Sequence, residues 1–191
     1  MQTNVTHACI TFLILFCRGD GSCLFYAASR LTFGEPNRAT EMRVRTIFEG
    51  VANSAYYLDC EAMSAGLKEN DGKITQMYAS LSGIAAACKE EDDIQNVYEE
   101  ELVHLSSVGA YGSIWQIHQL ASVMGRPIYS IYPEFPGVVS PGIKKQRDTY
   151  NRVLFPRQVD LQGQITAHIM WTPSIHTEGR QNVNHFVPVV M

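Results

Sequence analysis

The sequence predicts an α+β domain, and three observations predict it. Apolar residues recur at helical spacing through the first part of the chain, short β-rich runs follow mostly later, and no repeat, low-complexity tract or linker separates them. At 191 residues the chain is the size of one domain, 1–191, long enough to bury a core without staples. Apolar content of 46% with 18% charged residues is ordinary for a soluble globular protein and argues against long disorder.

The amino-terminal run Ala8 to Cys17 has the length of a signal-peptide core. No Lys or Arg precedes it and no small-residue cleavage site follows, and it is too short to span a bilayer as a helix. Its Ile, Phe and Thr content suits a buried strand, with a misplaced gene boundary as the alternative. Leu24, Phe25, Ala28 and Leu31 then line one side of a short helix that Gly34-Glu35-Pro36 ends. A longer helix follows Asn37, a residue able to cap it. Met42, Val44, Ile47, Phe48, Val51, Ala52 and Ala55 supply its apolar face, with Glu41, Arg43, Arg45 and Glu49 between them.

From Ala55 to Ala87 the pattern weakens, and Gly66 to Gly72 reads as a polar turn. The acidic run Glu90 to Asp93 suits the start of a helix, where carboxylates complement the dipole. Ile94, Val97, Tyr98, Leu102, Val103 and Leu105 form that helix's apolar face, with Glu99, Glu100 and Glu101 turned outward. After the turn at Gly109 to Ser113, Ser113 caps a helix running to Gly125 and carrying His118, read as structural. Pro127 to Tyr132, Arg152 to Pro156 and Ile165 to Trp171 read as strands. Pro133 to Gly142 is a loop and a candidate contact to a protein substrate. Thr172 to Val183 reads as the loop before a last strand whose Pro188 suggests an edge or a bulge.

Chemistry concentrates at the two ends of the chain. Gly19-Asp20-Gly21-Ser22 is a small-residue turn that delivers Cys23 to the first turn of a helix. Unpaired N–H groups and the positive end of the helix dipole favour a thiolate there. The same N–H groups can hold an oxyanion, each donor worth on the order of 3 kcal/mol in the barrier. Asp20 suits an Asx-type bond to the turn's backbone. The base that a cysteine nucleophile needs is His185, in Asn184-His185-Phe186-Val187-Pro188.

Asp20-Gly21-Ser22-Cys23-Leu24-Phe25 resembles the nucleophile motif of the ovarian-tumour (OTU) family of cysteine proteases. Asn184 to Pro188 resembles the family's terminal histidine strand. Tyr111-Gly112-Ser113-Ile114-Trp115 through Ile128-Tyr129-Ser130-Ile131-Tyr132 resembles its middle helix and following strand. The last two blocks are similar to OTU domains carried in mobile-element polyproteins and their vertebrate relatives. The resemblance implies a papain-like OTU fold, with helices packed around a small, mostly antiparallel sheet. It also implies a deubiquitinase that hydrolyses (iso)peptide bonds at the carboxy-terminal glycine of ubiquitin or polyubiquitin. Cys23 is then the nucleophile, His185 the general base and acid, and Asp20 a third site residue. Two alternatives stand beside this reading: a catalytically silent ubiquitin-binding module, and a protease that processes a polyprotein.

The family often carries Asp or Asn two positions after the histidine, where this chain has Val187. Val187 accepts no hydrogen bond. Asn182, Asn184, Thr166 and His168 are the polar candidates for orienting the ring, and a dyad without a third member is the other option.

Composition narrows the rest. A net charge of −4 gives no basic footprint for nucleic acid or anionic membrane, and Lys144-Lys145-Gln146-Arg147 is too short to supply one. Cys9, Cys17, Cys23, Cys60 and Cys88 show no CxxC or Cys/His spacing, so no metal or other cofactor is expected. Their odd number argues against a complete disulfide framework. A reducing compartment fits, the cytoplasm or the nucleus.

Overall fold

A computed structural model describes residues 13–14, 19–64, 73–82, 94–133, 147–158, 163–175 and 181–190, with side chains omitted at 13–14, 173–175 and 181–184. The predicted α+β arrangement is present. Seven helices, α1 (Cys23–Phe33), α2 (Ala39–Ala52), α3 (Ser54–Leu58), α4 (Cys60–Met63), α5 (Ile74–Ser80), α6 (Ile94–Leu105) and α7 (Ile114–Met124), occupy the described chain before most of the sheet. The strands are β1 (Leu13–Ile14), β2 (Ile128–Ile131), β3 (Arg152–Leu154), β4 (Ala167–Ile175) and β5 (Gln181–Val190). Their order in the sheet is β1-β5-β4-β2-β3. The β2–β4 pair is parallel and the other pairs are antiparallel.

The local signals place several boundaries correctly. Gly34 ends α1 in the left-handed region at φ 80°, and Gly125 ends α7 likewise at φ 64°. Ser113 and Gln116 form a capping box at the start of α7. The strand expected near the amino terminus appears at Leu13–Ile14, paired with Val190 and Val189. The polar turn at 66–72, the acidic run at 90–93 and most of the loop at 133–142 lie outside the described residues.

Four expectations are corrected. The N-cap of α2 is Arg38, which makes no side-chain cap bond, so Asn37 does not cap that helix. The buried face of α2 is Ala39, Met42, Arg43, Thr46 and Gly50, and it packs on α1 and α7. Val44, Phe48 and Val51 face solvent instead. On α6, Glu101 is buried where an outward carboxylate was expected, and Val103 is exposed. Its Oε2 accepts from the Ser113 hydroxyl at 2.7 Å, which ties α6 to the start of α7. Finally, β4 runs to Ile175 and β5 begins at Gln181, so most of the loop expected over 172–183 is strand. A register shift between Thr172 and Pro173 accommodates the extension.

The core joins α1, α7 and the inner sheet around Phe25, Trp115, Ile117, Ile169, Trp171 and Phe186. Trp171 packs 4.3 Å from Phe186 and stacks on Tyr150 at 4.5 Å. His118 lies inside this core, edge-on to Tyr56 and Tyr57 and bonded to the Phe155 backbone. Burial lowers it from 6.5 to about 4, so it is a neutral packing residue at physiological pH.

Candidate functional site

The nucleophile turn is built from glycine conformations and polar staples. Gly21 adopts φ 79°, and a Cβ added there would lie 1.8 Å from the Gly109 carbonyl oxygen. Only glycine meets both conditions. The turn therefore lies directly against the segment that joins α6 to α7. Asp20 Oδ1 accepts the Ser22 N–H at 3.1 Å, the Asx-type bond expected from the sequence. Tyr111 donates its hydroxyl to the Gly19 carbonyl at 3.3 Å.

Cys23 is the first residue of α1, and it is fully buried. Its sulfur faces the backbone N–H groups of Cys23, Leu24 and Phe186. These three pull the thiol's pKa down, as expected for a helix start. Burial outweighs them, and the Asp20 charge adds to it, so the thiol is pushed up to about 11. The expectation of a ready thiolate is thus corrected: the donors are in place, yet desolvation keeps the proton on sulfur.

The Phe186 contact brings the two ends of the chain together. Phe186 directly follows His185 on β5, and β5 packs on α1. A Cβ on Gly19 would lie 3.8 Å from His185 Nδ1, so the imidazole sits beside the nucleophile turn. Cys23, Asp20 and His185 therefore belong to one locality, assembled from residues that the chain separates by most of its length.

Strand register places the residues that flank His185 along and across the sheet. His185, Val187 and Val189 share a face of β5 because side chains alternate along a strand. Val187 is buried and pairs with Met170. Thr172 is directly opposite His185, and its hydroxyl donates to the His185 carbonyl at 3.4 Å. His168 is opposite Val189, about 13 Å along the strand from Thr172, and edge-on to Tyr129 at 5.7 Å. Thr166 precedes β4 altogether. Neither Thr166 nor His168 is thus a cross-strand neighbour of the histidine. The side chains of Asn182 and Asn184 lie outside the described residues.

One residue at this site escaped the sequence reading. Arg43 falls between the apolar positions of α2 in the sequence, yet it is buried. Nη1 donates to the carbonyls of Leu105 at 2.9 Å and Ser107 at 3.3 Å. Nη2 donates at 3.1 Å to each of the Gly21 carbonyl, the Ser22 hydroxyl and the Ala110 carbonyl. The guanidinium also lies 4.5 Å above the Phe25 ring. Its partners lie 21 to 67 positions away, so no local pattern signals it.

Among the described residues, no group of three or more His, Cys, Asp or Glu could hold a metal ion. No described helix is long and apolar enough to cross a membrane.

With that geometry in hand, known proteins place the chain. It is 30% identical over 187 residues to vertnin from Homo sapiens and 27% identical over 188 residues to vertnin from Danio rerio. Each alignment covers 93% of this chain, and the chain spans about a quarter of each relative, 24% and 25%. The solved OTU domain of OTUD1 is 11% identical, with a TM-score of 0.51 over 94% of this chain and 86% of that one, which shows the fold. Residues 15–172 match the family described as "Vertnin, OTU domain", a span that includes Cys23 and ends before His185. The chain belongs to this vertnin OTU-domain family.

Proposed function

We propose that the chain is a thiol-dependent deubiquitinase that hydrolyses (iso)peptide bonds at the carboxy-terminal glycine of ubiquitin. The supporting observation is the meeting of Cys23 and β5: the sulfur faces the N–H of Phe186, the residue that follows His185. In this reading His185 takes the Cys23 proton and the thiolate attacks the glycine carbonyl. The resulting oxyanion is held by backbone N–H groups of the nucleophile turn. His185 then protonates the departing amine, leaving a thioester, and next deprotonates the water that hydrolyses it. Asp20 shapes the turn through the Ser22 N–H. Burial pushes the thiol up to about 11, so in this reading His185 takes the proton as part of the attack step.

Two observations favour a second reading, a silent ubiquitin-binding module. Val187 is apolar and buried where an orienting carboxylate or amide is common, and Cys23 is sealed from solvent. Ubiquitin carrying a carboxy-terminal electrophile separates the readings. The enzyme forms a covalent adduct that Cys23→Ala abolishes, and His185→Ala lowers turnover by at least about 1,000-fold without a change in melting temperature. Binding with no adduct would instead support the module.

A further inference from the structure

We infer that Arg43 is a positioning residue for the nucleophile: it holds the turn so that the first N–H groups of α1 stay open to the Cys23 sulfur. The inference rests on the thiol-hydrolase reading for its consequence in turnover, but its geometry stands independently.

Two features of the turn carry it. The first is the Gly21–Ser22 peptide, which is gripped at both ends. Its carbonyl accepts from Arg43 Nη2 at 3.1 Å, and its N–H donates to Asp20 Oδ1 at 3.1 Å. A trans peptide directs these groups to opposite sides, so a cation on one side and a carboxylate on the other fix its plane. The residue after that peptide is Cys23, so the plane sets where α1 begins.

The second feature is Ser22. It stands at the N-cap of α1, where a serine hydroxyl ordinarily accepts an N–H from the first turn. Here it makes no such cap bond. Its Oγ accepts from Arg43 at 3.1 Å instead. With the Ser22 hydroxyl turned to Arg43, the Leu24 N–H, which an N-cap serine can take, joins the Cys23 N–H in facing the sulfur.

Arg43 also fixes the turn relative to its surroundings. The same guanidinium binds the Leu105, Ser107 and Ala110 carbonyls, so the turn and the segment after α6 are held as one unit. Among the described residues, the charged and titratable groups around the turn include Asp20 from the turn itself, Tyr26 from α1, Arg43 from α2 and His185 from β5.

The test follows alkylation of Cys23 by iodoacetamide from pH 8 to 10, read by mass spectrometry, with the half-buried Cys60 as internal reference. Because the sulfur is buried, the rate is the product of local opening and thiolate fraction, and amide exchange at Cys23 in the same variants supplies the opening. After that correction Arg43→Met should slow Cys23 about tenfold at each pH, equivalent to a one-unit rise, with Cys60 unchanged and a cooperative unfolding transition retained at a lower melting temperature. Arg43→Lys, which keeps a cation but loses the fork, should fall between. In a Ser22→Ala background, where no hydroxyl can recap the helix, the Arg43→Met penalty should shrink. Rates within about twofold of the unmodified protein would overturn the inference, as would a penalty that Ser22→Ala leaves intact. Global unfolding of both Arg43 variants would overturn it too, by making the residue an anchor of the whole fold. Where ubiquitin conjugates are cleaved, Arg43→Lys should lower kcat with KM unchanged. Absence of cleavage by the unmodified protein would sink the hydrolase reading alone, since the alkylation result judges Arg43 without it.

Discussion

The two halves of the site are held by different means. The sulfur half is clamped: Gly21 lies against Gly109, Asp20 and Arg43 grip one peptide, and Tyr111 binds Gly19. The histidine half is held by strand pairing, with Thr172 opposite His185 and the buried Val187 beyond it. Long-range staples fix a position through its backbone, so it is intolerant of backbone change and of losing the side chain that grips most groups. A strand register positions a residue with fewer polar contacts and leaves its ring orientation to whatever flanks it.

The clamp is broken most directly at Gly21. Alanine there combines left-handed backbone strain with a Cβ driven into the Gly109 carbonyl, so the two segments must separate. Gly21→Ala should destabilise the protein by at least about 3 kcal/mol, measured by urea unfolding. A change within about 0.5 kcal/mol would show that the 109 segment yields freely and that the sulfur half is not rigid.

Burial of the thiol sharpens the comparison through pH. The folded pKa of about 11 stands above the ordinary 9.0, so between these values the unfolded chain releases a proton that the folded one keeps. The stabilisation is whole below pH 9 and is lost as pH rises through 11, at most about 3 kcal/mol for two units. Cys23→Ala removes the titrating group. The stability of the unmodified protein relative to this variant, under reducing conditions, should therefore fall by up to that amount from pH 8 to pH 11. A constant difference would place the sulfur in a wetter site than its surroundings suggest.

The sequence exposed the ends of this arrangement better than its middle. The capping signals at Ser113 and Gly125 are short-range and were legible, and the local contexts of Cys23 and His185 singled out two residues that the fold brings to one locality. Arg43 was not legible. Binary patterning assigns a helix's faces by hydrophobicity, and it put Val44, Phe48 and Val51 inside with Arg43 outside. The structure reverses this because carbonyls from two remote segments satisfy the guanidinium, and such partners leave no trace at helical spacing. Glu101 escaped for the same reason: its partner Ser113 belongs to the next helix. Thr172 was hidden differently. Its place opposite His185 depends on β4 extending past Trp171, where turn-forming residues suggested a loop.

The histidine half is probed with the smallest expected effect at Val187. An amide there shares the face of His185 and can accept from its ring, whereas valine offers only packing. Val187→Asn should raise the rate of adduct formation with the ubiquitin electrophile by about threefold, while the buried amide costs about 1–2 kcal/mol in stability. The opposing signs matter, because a purely structural position would lose on both counts. An unchanged rate in a variant that still folds would mean that the ring is oriented without a partner at 187. The proposed base would then need no group on that face, while the Cys23 turn still depends on its clamp.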